Sequence, residues 1–374
     1  MTSPEHVGTP LRGPERVAVV GTGLIGTSIA MAATRAGDHV RGFDSDGEVL
    51  AAAAGRSGLS PAADLEGCLQ GASLVFLCTP MPSLATLVVE ALRLAPDAVV
   101  TDVGSVKSHL MVEVDARAEP GDLPRFVGGH PMGGSERSGP DHASPSVLDG
   151  VVWVVAAGTR TDPAAVERVE AWVSKIGARP VRMEPERHDR LVAIVSHLPQ
   201  VASTALMGLA ATEEAGEPEI LLLAAGGFRD LTRLAASNPA LWSDILLANR
   251  EAIARSIDLY VDRLKLLREL VAAGDGGAVA ATFAEAKAAR LTLAAKPQVR
   301  SGVGVLLVPV PDRPGVLAEV TAAMGQAGVN IEDLQIVHSP EGGRGTVHLT
   351  VAAGSVGAAE GALRERWFEP RRLA

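Results

Sequence analysis

Residues 127–136 read VGGHPMGGSE, a histidine among four glycines with a proline beside it. Glycine at that density lets the backbone turn and come close to another molecule, while proline fixes one torsion and removes a donor. Neither a helix nor a regular strand continues easily there, so His130 is expected on a loop, aimed rather than packed. A neutral imidazole so placed can take a proton from a hydroxyl, the work of a general base. Three other stretches could act with it. TDVGSVK (101–107) delivers Asp102, Ser105 and Lys107 to one loop. HDRLVAIVSHLPQ (188–200) carries His188 and His197, which do not share a helix face and are not a metal pair. Pro199 in that apolar stretch implies a kink that could tip His197 into a cleft, although a hydrogen-bonded core histidine fits as well. GGFRDLTRLAASNPALW (226–242) sets Arg229, Asp230 and Arg233 on one helix face, either a surface ion pair or a clamp for a carboxylate.

These groups need a scaffold. Across 16–184, short apolar runs alternate with helical stretches: RVAVV (16–20), HVRGFD (39–44), SLVFLCTP (73–80), DAVVTDVGS (97–105), RFVGGHP (125–131), VVWVVAA (151–157) and RPVRM (179–183). This is βαβ rhythm, which predicts a mostly parallel, doubly wound sheet with helices on both faces. VAVVGTGLIGTSIA sets Gly21, Gly23 and Gly26 between the first strand and a helix, where a pyrophosphate can approach the helix N-terminus. Asp44 ends the second strand, where a carboxylate can accept from both ribose hydroxyls and repel a 2′-phosphate. The pattern predicts dinucleotide binding, with NAD preferred over NADP. Thr79 and Pro80, in CTP at the end of a later strand, share the carboxyl-end rim along which ligands bind in such sheets, as do the loops of Ser105 and His130.

Residues 185–296 hold almost no β-like run and read as long helices rich in Leu, Ile and Ala, which favours burial against a second copy. KPQVRSG (296–302) is the expected linker. From 303 to 374 the order is β-α-β-β-α with FEPRRL a doubtful last strand, a small ferredoxin-like sandwich. Residues 1–15 form a tail.

Of 374 residues, 47% are apolar, enough for two or three domains with large cores. The formal charge of −10 argues against a nucleic-acid or anionic-membrane partner. Cys68 and Cys78 have no metal-ligand spacing and fit a reducing cytoplasm. The N-terminus lacks the apolar core of a signal peptide, and no run of apolar residues reaches membrane-spanning length. A soluble cytoplasmic protein is expected.

Taken together, GLIG (23–26, with Leu24 and Ile25) with Asp44, DVGSVK, GGHPMGGSE, VSHLP and GGFRDLTRLAASNP resemble, in order and over nearly the whole length, the prephenate dehydrogenase family of tyrosine biosynthesis. The resemblance implies that His130 is the catalytic base and that Ser105 bonds the substrate hydroxyl and helps hold His130. It implies that His197 and Arg233 meet prephenate, with Arg233 on the pyruvyl carboxylate, and that Glu136 lines the entrance. The implied reaction takes the ring hydroxyl proton to His130 and hydride to NAD, with loss of CO₂ and formation of 4-hydroxyphenylpyruvate. Some relatives carry a chorismate mutase module upstream, and only a short tail stands here, so mutase activity is not expected. PDRPGVLAEV…AGVNIEDLQI resembles the ACT family, with Asp312, Gly315 and Asn330 at its ligand-binding turn, which implies an amino-acid sensor, for tyrosine, or a dimerisation module. Arogenate dehydrogenase is the nearest alternative. Another hydroxyacid dehydrogenase would be expected to carry a catalytic lysine where VSHLP stands. A regulatory protein without turnover is argued against by His130, Ser105 and Arg233.

Overall fold

The computed structural model describes residues 13–133, 139–213, 216–217, 219–294, 303–338 and 344–372. They fall into two units, Met1–Arg263 and Leu264–Ala374. The first is built on eight strands: β1 (Arg16–Val20), β2 (His39–Phe43), β3 (Ser60–Pro61), β4 (Leu74–Leu77), β5 (Val99–Asp102), β6 (Phe126–Pro131), β7 (Val152–Ala156) and β8 (Arg179–Arg182). Their order across the sheet is β3-β2-β1-β4-β5-β6-β7-β8. Strands β1 to β6 run parallel, while β7 turns antiparallel to β6 and carries β8 with it. Helices α1 (Leu24–Arg35), α2 (Gly47–Ser57), α3 (Leu65–Leu69), α4 (Met81–Leu94), α5 (Ser108–Arg117) and α6 (Pro163–Lys175) connect them.

The short apolar runs become strands because both faces of the sheet are covered. LVFL of β4 is buried at every position, as a central parallel strand should be. Alternate side chains of β1 enter two different cores. Val17 and Val19 join Phe76, Trp153 and Trp172 on one face. Ala18 and Val20 join Val75, Leu77 and Val100 on the other.

The expected β-run 125–131 forms strand β6, which carries His130 and Pro131 within it, paired with Val154 and Trp153 of β7. The histidine therefore stands at the end of a strand and not on a loop. A side chain on Gly129 would collide with the backbone of Asp102, so this glycine permits close approach of β5 and β6 and makes no turn. Pro131 sits at the strand's last residue, where its missing donor costs least.

Helices α7 (Pro185–Val192), α8 (Leu198–Glu213), α9 (Glu219–Leu222), α10 (Gly226–Thr232), α11 (Pro239–Ala248), α12 (Arg250–Ala272) and α13 (Gly276–Ala294) follow. A π turn, Ala193–His197, joins α7 to α8, and a 3₁₀ turn, Arg233–Ala236, follows α10. Pro185–Glu213 is thus 29 residues of helix, long and apolar enough by length and composition to cross a membrane, which corrects the expectation that no such run exists. Polar residues that interrupt it are bonded within the protein. Gln200 Nε2 donates to the Leu234 carbonyl at 2.7 Å, and Ser203 Oγ accepts from the Ala235 N–H at 3.1 Å. Large apolar side chains stand exposed along these helices and the turns between them, among them Ile194, Val195, Leu209, Leu222 and Leu223.

In the second unit, β9 (Val303–Pro311), α14 (Val316–Gln326), β10 (Ile331–His338), β11 (Arg344–Ala352), α15 (Val356–Glu365) and β12 (Arg371–Arg372) form an antiparallel sheet of order β10-β11-β9-β12 with two helices. The doubtful last strand exists: Arg371 and Arg372 pair with Leu307 and Leu306 of β9. The core is Leu306, Val308, Val320, Met324, Leu349 and Leu363. The linker 296–302 lies outside the described residues.

Candidate active site

At the carboxyl ends of the parallel strands lies a cleft of about 730 Å³. Its glycines divide the work. Gly21 takes a φ of 88°, and a side chain there would strike the Cys78 carbonyl. Gly26 packs on the Gly21 carbonyl, which leaves no room for a Cβ between turn and helix. Gly23 is open, with nothing within 4 Å of where a Cβ would stand. It precedes α1, whose N-terminus has no side-chain cap, so its N–H groups are available to a phosphate.

Asp44 stands half-buried beyond β2. Its Oδ2 accepts from Thr22 N–H at 2.6 Å and Thr22 Oγ1 at 3.2 Å, and its Oδ1 accepts from Asp46 N–H at 3.0 Å. The glycine turn and the carboxylate therefore hold each other. Gly21, Gly23, Leu24 and Ile25 line the cleft with Asp44, Thr79 and Pro80, whereas Gly26 lies beneath it. An open glycine, an uncapped helix and a fixed carboxylate fit the phosphates and ribose of a dinucleotide.

Ser105 and His130 line the same cleft. His130 Nδ1 lies 2.9 Å from His188 Nε2, and His188 Nδ1 lies 2.8 Å from Asp189 Oδ1. Asp189 also accepts from the backbone N–H groups of Lys107 at 2.9 Å and Ser108 at 2.8 Å. Lys107, fully buried, binds the Asp102 carboxylate and donates to the Gly129 carbonyl at 2.7 Å. Asp102 accepts in turn from Gly104 N–H at 2.8 Å and Gly129 N–H at 3.1 Å. Both sides of Gly129 are thus anchored directly before His130.

Burial first, then the neighbouring His188, Lys107 and His197, hold His130 well below the ordinary histidine range, so its imidazole is neutral at pH 7. Burial also pushes Lys107 down, against the pull of Asp102. Burial would raise Asp189, but the hydrogen bonds from His188, Lys107 and Ser108 outweigh it and keep the carboxyl below its usual value. Burial pushes the Cys68 thiol up to about 12 and raises Cys78 as well, so neither is a thiolate nucleophile at pH 7.

His197 ends the π turn, in which Leu198 N–H reaches back to the Ala193 carbonyl just before Pro199. The expected kink is this extra residue. It leaves His197 buried, with Nδ1 3.2 Å from Asn249 Nδ2 and its ring edge-on to Trp242. Burial lowers its pKa to about 4.

Several expected residues are not brought to the cleft. Among the described hydrogen bonds, His130 is held by His188 rather than by Ser105. His197 does not line the cleft, and Arg233 is exposed on the 3₁₀ turn beside exposed Arg229 and Asp230. Glu136 and Ser135 lie outside the described residues. Sequence reasoning missed His188 and Asp189 as site residues and weighed His188 only as one of a metal pair, which it rejected. The one signal was the His-Asp pair opening the helical segment. It also missed Leu241 and Ile245 of α11, which give the cleft an apolar wall.

In the second unit, Asp312 and Gly315 line a pocket of about 340 Å³ at the turn between β9 and α14. Gly315 takes a φ of 88° as the residue preceding that helix. Asn330 lies outside this lining, exposed, with its amide on Glu332 at 2.9 Å.

The model for the nucleotide-binding domain of prephenate dehydrogenase matches residues 29–182, that for its dimerization domain matches 184–285, and that for the ACT domain matches 304–367. A prephenate dehydrogenase from Bacillus subtilis is 31% identical, over 90% of this chain and 92% of its own length. Among solved structures, prephenate dehydrogenase from A. aeolicus in complex with hydroxyphenyl propionate and NAD+ superposes with a TM-score of 0.71 at 27% identity, covering 75% of this chain and 99% of that one. Synechocystis arogenate dehydrogenase gives 0.65 at 28% identity, covering 74% and 99%.

Proposed function

The chain belongs to the prephenate dehydrogenase family, and from that premise we propose that it oxidises prephenate with NAD, releasing CO₂ and 4-hydroxyphenylpyruvate. The observation that supports this most is a neutral imidazole, His130, lining the same cleft as the dinucleotide residues. Gly21, Gly23, Leu24, Ile25, Thr79 and Pro80 hold the cofactor, with Asp44 on its ribose and Gly26 supporting the turn. NAD, when bound, accepts the hydride. His130 takes the proton of the ring hydroxyl, and Ser105 orients that hydroxyl. Loss of the ring carboxylate as CO₂ is driven by aromatisation. Following the family motifs, Arg233 meets the pyruvyl carboxylate, His197 supports the substrate side and Glu136 lines the entrance.

The exposed position of Arg233 and the apolar side chains around it support a homodimer, in which a second copy completes the substrate side. The free cysteines fit a reducing cytoplasm. The direct test follows NADH formation by the purified chain with prephenate and with arogenate, which differ by a keto or amino group on the side chain. Faster turnover of arogenate would replace the substrate, and no turnover of either would leave a binding protein.

Asp44→Ala is expected to weaken NAD and narrow its lead over NADP, because the variant loses the ribose acceptor and the brace on the Thr22 N–H together. Titration of both cofactors measures it, and a wild-type chain that already prefers NADP would reverse the assignment.

We further propose that the ACT unit senses tyrosine, with Asp312, Gly315 and Asn330 at the ligand site. The N–H groups that open α14 suit a carboxylate. Tyrosine should inhibit through a coupling of about 1–3 kcal/mol, read by titration against activity, with phenylalanine and tryptophan as controls. Tyrosine that neither inhibits nor stabilises the full chain would end the sensor reading.

A further inference from the structure

An imidazole serves as a base through one nitrogen only, and which one is decided by the partner of the other. For His130 that partner is settled by a line of three side chains. His130 Nδ1 faces His188 Nε2 at 2.9 Å, and His188 Nδ1 faces Asp189 Oδ1 at 2.8 Å. We propose that His188 and Asp189 are positioning residues that keep the His130 proton on Nδ1 and its lone pair on Nε2, toward the cleft. They also share the charge once Nε2 is protonated. This rests on the reading of His130 as the base.

The direction follows from the far end. A carboxylate can only accept. Asp189 is kept in that form and in one orientation by the Lys107 and Ser108 amides, one on each oxygen. His188 Nδ1 therefore donates. A neutral His188 then offers only a lone pair at Nε2, and His130 Nδ1 must be the donor in the next link. His188 is fully buried, so bulk water does not compete for either nitrogen.

Among the described residues, the other charged or titratable groups that act on His130 are Lys107 and His197. Lys107 is tied to Asp102, and His197 Nδ1 faces the Asn249 amide, so neither takes the Nδ1 position. When the substrate hydroxyl gives its proton to Nε2, His130 becomes an imidazolium. Its Nδ1–H bond to His188 is then charge-assisted, and no second proton has to move.

Two substitutions separate positioning from packing. In His188→Gln the amide can reach the place of Nε2 and keep the link to His130. In His188→Asn it can reach only the place of Nδ1 and keeps the link to Asp189. Wild-type turnover of prephenate is measured first, since its absence would end the functional reading and leave the ring spectroscopy to test the positioning alone. We expect His188→Asn to lower kcat by about 10–100-fold, part of the loss from removing a base, with KM and NAD affinity little changed. We expect His188→Gln to restore most of that rate.

Ring ¹⁵N shifts of histidine-labelled wild-type protein should show His130 protonated at Nδ1 at neutral pH, assigned by comparison with His130→Asn. Three results would overturn the proposal. They are His130 protonated at Nε2, His188→Asn turning over at the wild-type rate, or both variants losing rate, NAD affinity and thermal stability equally.

Discussion

His130→Asn should lower kcat by about 10²–10⁴-fold while NAD affinity holds and KM moves little. The asparagine amide can reproduce a donor toward His188, so the link of β6 to α7 survives while the basic nitrogen is lost. The loss then falls on proton transfer rather than on folding. The pH profile gives a second measure. Because burial and the surrounding His188, Lys107 and His197 hold His130 well below 6.5, the base form persists as the pH falls through 6.5. The wild-type kcat/KM should therefore stay level there and fall only in more acid solution, as His130 takes up its proton. That limb should vanish in His130→Asn. His197, at about 4, titrates in the same acid range, so the variant is what separates the two. A wild-type limb at or above 6.5 would contradict the neutral, partly buried imidazole, and near-normal turnover in the variant would remove His130 from the chemistry.

The parts of this site that could be read in the sequence are those set by neighbours along the chain. A strand, three glycines, a helix and an acid ending the next strand lie within 16–44, and they form the dinucleotide end of the cleft. The ferredoxin-like unit was legible for the same reason, since its strands and helices alternate in short order. What could not be read depends on pairs distant in the chain. His188 stands 58 residues from His130, and only the packing of α7 against the end of the sheet brings them together. The glycines beside His130 misled in a different way. Their density signals a turn locally, whereas Gly129 is needed because β5 passes too close for a side chain. His197 shows a third limit. Pro199 announced a disturbance of the helix, but the direction in which a π turn rotates a side chain depends on what packs beside it, here Asn249 and Trp242.

Lys107→Met should destabilise the first unit by about 3–5 kcal/mol, the range for breaking one side of a buried ion pair. The ammonium is fully buried against Asp102, and the Gly129 carbonyl accepts a further bond from it at 2.7 Å. Removing it strands a carboxylate that also holds the Gly104 and Gly129 amides and has no water to turn to. Methionine fills the space of the lysine stem, so the loss is electrostatic rather than a cavity. An internal control is Arg35, whose contact with Asp149 at 3.0 Å is about half exposed on both sides. Arg35→Met should cost only about 0–1 kcal/mol. Urea unfolding followed through the buried Trp153 and Trp172 reports on the sheet that carries both pairs. Equal costs for the two variants would mean that Asp102 finds other compensation. With the loss as large as expected, Lys107 is the group that lets a carboxylate be buried beneath Gly129, and Gly129 is what fixes the backbone of His130.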